Sequence, residues 1–206
     1  MREQSPPRTP IAVLGTLAEF HREPIPYDLR ALVRLVTGLR PDLLCLDITP
    51  DQWQRRDFAD LPPEYRDALL PLAHQTDIVV VPLAGDRPPQ EPTAAGWRGK
   101  VIALLRLWLA YLQRTAFDPA AINEGWRHHV ADLLYSLIAW LAGGETHRAW
   151  RAHTAHLTRQ ILEIAQRDPG RRILVVVNVR HCHHIRPALA RHSGIQVVKY
   201  SQLVDF

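Results

Sequence analysis

The chain has 206 residues, 47% of them hydrophobic and 22% charged, with a formal net charge of +4. That length supports one sizeable core, and that composition excludes a disordered or fibrous chain. Lysine occurs only at Lys100 and Lys199, and the arginines are interspersed with acids. This is a pattern of solvated helix faces and argues against nucleic-acid binding.

The opening residues, Met1 to Pro10, are polar and proline-rich, with no apolar signal-peptide core. Cys45 and Cys182 are too few for a disulfide framework, and a cytoplasmic location fits both. Residues Ile11 to Leu17 read as a strand that ends at a Gly15-Thr16 turn. Tyr27 to Leu39 has helical apolar spacing through Leu29, Leu32, Val33, Leu35, Val36 and Leu39. Pro41-Asp42 ends it, and Leu43 to Ile48 is a second buried strand in which Cys45 is a small hydrophobe. A loop or short helix runs through Trp53, a helix covers Pro62 to Gln75, and Asp77 to Leu83 is a third strand. This βαβαβ alternation predicts an α/β fold with a mostly parallel sheet.

A Pro- and Gly-rich loop over 84–96 then introduces an all-helical insertion at 97–167, between strands three and four of a single domain, 1–206. Its helices are expected at Trp97 to Thr115, Pro119 to Leu141 and Glu145 to Arg167, the last two parted by Gly143-Gly144. The apolar stretches Val101 to Leu112 and Val130 to Ala142 are shorter than the roughly 20 residues of a bilayer span, so no membrane partner is expected. Tryptophans 97, 108, 126, 140 and 150 are expected to pack in the core, with an aromatic-lined ligand pocket as the alternative. Strand four, Ile173 to Val179, leads into a turn carrying His181, Cys182, His183 and His184. A helix over His184 to His192 and a last strand, Gln196 to Tyr200, complete the chain.

Parallel strands bring their carboxyl ends to one edge, where open α/β sheets place their chemistry. Strand one supplies Thr16, Glu19 and His21; strand two Asp47 and Asp51; strand four Asn178 and the histidines. Imidazoles with a carboxylate make the ligand set of a divalent transition metal with room for water. The alternative is a polar turn carrying surface histidines. His147, Arg148 and Arg151 start the last long helix, where an arginine can stabilise an oxyanion. No P-loop, dinucleotide fingerprint, nucleophile elbow or zinc-finger spacing occurs.

The order of these features resembles the superfamily that joins TraB and Tiki proteins, erythromycin esterases and ChaN-like haem-binding proteins. Leu14-Gly15-Thr16-Leu17-Ala18 is similar to its Gly-Thr-x-His motif, with Ala18 at the histidine. Leu43-Leu44-Cys45-Leu46-Asp47 is similar to its strand ending in Glu, with Asp in place of Glu. Glu145-Thr146-His147-Arg148 matches the arginine segment, and Val177-Asn178-Val179-Arg180-His181 the late Gly-x-x-His. The resemblance implies a metal-assisted hydrolase acting on a small-molecule or peptide ligand. In it His181 and Asp47 are ligands or bases, Arg148 an electrophilic stabiliser, and Glu19, His21 and His184 complete the first shell. A non-catalytic protein binding haem, metal or a hydrophobic ligand is the alternative, as is an inactive member acting through protein contacts.

Overall fold

A computed structural model describes residues 8–18, 21, 25–85 and 93–206. Five strands form one all-parallel sheet: β1 (Thr9–Thr16), β2 (Leu43–Leu46), β3 (Val79–Pro82), β4 (Ile173–Asn178) and β5 (Ile195–Val198), in the order β3-β2-β4-β1-β5. Both faces of the sheet are covered, which is why the central strands read as unbroken apolar runs. Ala12, Leu14, Leu44, Leu46, Leu174 and Val176 face one core, and Ile11, Val13, Cys45, Ile173, Val175 and Val177 face the other.

The first core is closed by α1 (Leu29–Leu39), by a π-helical turn at Glu64–Leu69 that runs into α3 (Leu70–His74), and by a 3-10 turn at Tyr200–Asp205. Asp28 caps α1 by accepting from the Ala31 N–H at 2.7 Å, and Leu32, Val36 and Leu39 point inward. Each such side chain contributes about 1.5–3 kcal/mol on burial. A short helix, α2 (Pro50–Arg55), follows β2 and is capped by Thr49 and Gln52 in a reciprocal box.

Between β3 and β4 lie α4 (Gly96–Arg114), α5 (Pro119–Asn123), α6 (Trp126–Ala142) and α7 (Gly144–Arg167). The predicted second helix of the insertion is therefore two helices. The chain breaks at Glu124-Gly125, and Gly125 serves as the N-cap of α6. The second core is closed by α7 and by α8 (Val179–Leu189).

Helix α8 corrects the sequence reading. It begins at once after β4, five residues before the predicted start, because the Asn178 side chain accepts from the Arg180 N–H at 3.1 Å and caps it. The histidine segment is thus the first turns of a helix, not a loop. Gly15 permits this: a Cβ there would stand 2.8 Å from the Val179 Cα.

The expectation of core packing fails for four of the insertion tryptophans. Trp97, Trp108, Trp126 and Trp140 are exposed, and only Trp150 is substantially covered. Among the described residues no helix is long and apolar enough to cross a membrane.

Candidate metal centre at the carboxyl edge

Helix α1, after β1, packs on one face of the sheet, and α8, after β4, on the other. The switch between them lies at the neighbouring ends of β1 and β4, where such folds open a crevice. Beyond the end of β5, the outer edge of β1 is covered by side chains. Asn123 accepts from the Gly15 N–H at 2.6 Å and donates to the Gly15 carbonyl at 3.2 Å. Arg186 donates to the Val13 carbonyl and to the Asn123 carbonyl, each at 2.6 Å. The polar side chains that gather lie one strand over, at the ends of β2 and β4.

Asp47 leaves the end of β2, His181 stands in the first turn of α8, and His153 descends from α7. One ligand atom from each lies within 4.8 Å of the others, and among the described residues this is the only such group of three. His153 and His181 are buried and Asp47 is partly covered. The His153 Nε2 sits 3.0 Å from both Asp47 carboxylate oxygens. An ionised carboxylate only accepts, so this Nε2–H is the donor.

His181 is oriented from both sides. The Thr154 hydroxyl donates to the Trp150 carbonyl at 3.0 Å and so accepts from His181 Nδ1–H at 2.8 Å. Its Nε2 therefore keeps a lone pair, toward which Arg180 Nε–H points at 3.3 Å. Burial, and then the Arg180 charge, hold the His181 pKa well below the ordinary value, so the ring is neutral at physiological pH. The rings of His153 and His181 meet edge to face at 5.4 Å, and Trp150 stacks on His181 at 5.6 Å.

Two imidazoles and a carboxylate are the donor set of a divalent transition metal with open coordination positions. Bonds of about 2.0–2.2 Å place such ligand atoms roughly 3.0–3.6 Å apart, and the Asp47–His153 pair would have that spacing once an ion takes the place of the Nε2 proton. The third ligand atom, from His181, lies within 4.8 Å of the other two. The Thr154 hydroxyl on Nδ1 is the outer partner that fixes a metal-binding histidine with Nε2 inward.

Beyond Trp150 lies a pocket of about 230 Å³ between α6, α7 and the start of α8. Trp150, Tyr135, Ile138 and Ala139 give it apolar walls, and Arg151, Arg180, His147 and His184 give it cationic and polar ones. Arg180 belongs to both places: it lines this pocket and bonds His181.

The structure brings His181 and Asp47 together as the strand-end reasoning expects. His184 is exposed, lies edge-on to Trp150 at 4.8 Å and lines the pocket, outside the three-residue group. Arg148 is exposed near the start of α7 and also lies outside that group. His21 is buried beyond β1, where its Nε2 accepts from the Leu17 N–H at 3.3 Å. Glu19 lies outside the described residues. Cys182 lies outside the group of three; burial pushes its thiol up to about 11, as it pushes Cys45 to about 12.

Sequence reasoning noticed His153, as sharing a helix face with His156, but did not place it in the site, and it missed Glu64, a buried carboxylate that accepts from the Thr16 hydroxyl at 2.9 Å and from the Ala18 N–H at 3.1 Å. Ala18 adopts a left-handed backbone, φ 50°, to make that bond. The position aligned with the motif's histidine thus binds Glu64 through its backbone.

Burial also lowers His21 to about 4 and His128 to about 3. Both rings are neutral when folded, whereas in the unfolded chain they take up protons below about pH 6.5. Stability is thus full above pH 6.5 and falls as the solution is acidified. At pH 5 the loss from His21 alone is about 2 kcal/mol. Thermal melts at pH 7.5 and 5 are expected to show a lower Tm in acid, and His21→Gln to reduce the difference.

Compared with known proteins, the chain matches no family model, no curated protein and no solved structure. Its assignment therefore rests on the site.

Proposed function

We propose that this chain is a metal-assisted hydrolase in which Asp47, His153 and His181 hold a divalent transition metal at the carboxyl edge of the sheet. One observation carries this reading: three ligand-bearing side chains from three separate elements converge, and Thr154 holds His181 by Nδ1, which leaves Nε2, now accepting from Arg180, as the nitrogen a metal would take. The resemblance to Tiki and erythromycin-esterase-like proteins points the same way, with Asp47 and His181 at the positions it selects.

A divalent ion in this site supplies a Lewis acid toward a carbonyl or phosphoryl oxygen. The protein's own groups do the rest. The pocket beside Trp150 takes the body of the substrate against its apolar wall. The Arg180 guanidinium, in hydrogen-bond reach of His181, offers a fixed positive charge where an oxyanion develops.

Elemental analysis of protein purified without a histidine tag is expected to show one equivalent of a transition metal, and His181→Ala to lose it. A screen of ester, amide and phosphoester substrates is expected to find an activity that falls at least 100-fold in His181→Ala. A protein that takes up no metal on titration, with every hydrolysis rate indifferent to His181→Ala, would end this reading. A second reading has its own support in the mostly apolar pocket wall: a non-catalytic protein that binds haem or another apolar ligand there. A coloured preparation with a Soret band would favour it.

A further inference from the structure

Helices α7 and α8 pack along each other and leave an open groove of about 590 Å³ between them. The groove shares Trp150, Arg151 and His184 with the pocket beside the metal centre, so the two form one cleft. On α7 Arg151, Ala155, Arg159 and Leu162 line the groove, in steps of four, four and three. Opposite them Arg180, His184, Ala188 and Arg191 line the cleft in the same steps, on α8 and just beyond its end. That spacing puts each set on one face of its helix.

The groove is cationic. Arg151, Arg159 and Arg191 are exposed, and among the described residues none of the three has an ion pair or a hydrogen bond. No acidic residue lines the groove. Helix α8 contains none, and of the acids of α7, Glu145 stands in its first turn and Glu163 accepts from Gln160 at 2.9 Å. The one acid that lines the cleft, Asp132, lies in the pocket, 3.9 Å from His183 Nδ1. Arg180 stands at the head of the cleft and is already bonded to His181.

A guanidinium holds five N–H donors in a planar fork that matches the oxygens of a phosphate or a carboxylate. Arg151 and Arg159 are eight residues apart, about 12 Å along α7. One carboxylate cannot serve both ends of such a groove, whereas a chain of phosphates supplies successive charges and many acceptor oxygens along it. The pocket asks for something else. Its walls of Trp150, Tyr135, Ile138 and Ala139 suit a flat apolar body.

We propose that this cleft binds an aromatic polyphosphate of the nucleotide class, with its ring in the pocket and its phosphates along Arg151, Arg159 and Arg191. As the substrate class of the neighbouring centre this rests on the metal-assisted reading; the binding itself needs no metal.

The test is calorimetric titration of the full, metal-free chain in a chelator, with ATP, adenosine and inorganic triphosphate as probes. ATP is expected to bind, adenosine and triphosphate each to bind at least tenfold more weakly, and the affinity for ATP to fall as salt is added. Arg159→Gln combined with Arg191→Gln removes two exposed cations that have no partner to lose. It is expected to weaken ATP at least tenfold and to leave adenosine unchanged. Arg98→Gln, on α4 and outside the cleft, is expected to leave ATP binding as it is. The proposal is overturned if ATP does not bind, if the double variant binds it like the parent, or if triphosphate binds as tightly as ATP. It is equally overturned if a thymidine oligonucleotide binds more tightly than ATP, which would make a nucleic-acid strand the occupant. With no metal present, failure of this titration leaves the reading of Asp47, His153 and His181 standing. A chain that binds ATP but takes up no metal keeps the cleft and loses the metal centre.

Discussion

Replacing Asn123 by alanine is expected to cost about 3–5 kcal/mol of folding stability, more than any surface substitution in this chain. Strand β5 pairs with β1 only over Thr9–Ala12, so the outer backbone groups of β1 beyond that point meet no strand. Those groups are the Val13 carbonyl and the N–H and carbonyl of Gly15. Asn123 satisfies both Gly15 groups, and Arg186 reaches the Val13 carbonyl, the Asn123 carbonyl and, at 3.1 Å, the Asn123 Oδ1.

The side chain therefore substitutes for a missing strand at a fully buried position. Its truncation leaves a donor and an acceptor unpaired, each worth about 1–3 kcal/mol, and loosens α5 from the sheet. Asn123→Asp keeps the acceptor for Gly15 N–H and Arg186 but loses the donor, so its loss should be smaller. Urea denaturation measures both. An Asn123→Ala loss below about 1 kcal/mol would show that water replaces the side chain, and that the outer edge of β1 beyond β5 is open to solvent.

How far the sequence foretells this structure depends on the element. The strands are legible because a sheet covered on both faces demands continuous apolar residues, as in Ile173–Val177. The start of α8 is not, because histidines look like turn residues and the cap, Asn178, lies at the end of an apolar run. Asp47 and His181 are legible because strand ends are where chemistry collects. His153 is not, because it reaches Asp47 from a helix 106 residues further along the chain. One signal for it was present: His153 shares a helical stripe with Leu157, Ile161 and Ile164, and a histidine on a buried apolar stripe needs a partner. The exposed tryptophans mislead for the opposite reason. Helical spacing shows that a face is apolar, but not whether that face meets the protein's own core.

The proposed ligand set can be tested by stability alone. An ion that binds only the folded chain stabilises it by about 4 kcal/mol at a thousand times its Kd, roughly 8–16 °C in Tm for a chain of this length. Zinc or cobalt added to metal-free protein is expected to produce a rise of that order. His153→Ala should abolish the rise, because it removes one of three ligands. The readout is the increment on adding metal and not the Tm itself, since losing the bond to Asp47 also weakens the metal-free protein. His21→Ala should keep the full increment, because the ring binds the Leu17 N–H beyond β1 and lies outside the group of three. The reverse result, with His21 required and His153 dispensable, would restore the ligand set that strand ends alone suggest. It would also require the end of β1 to move toward Asp47 when metal binds.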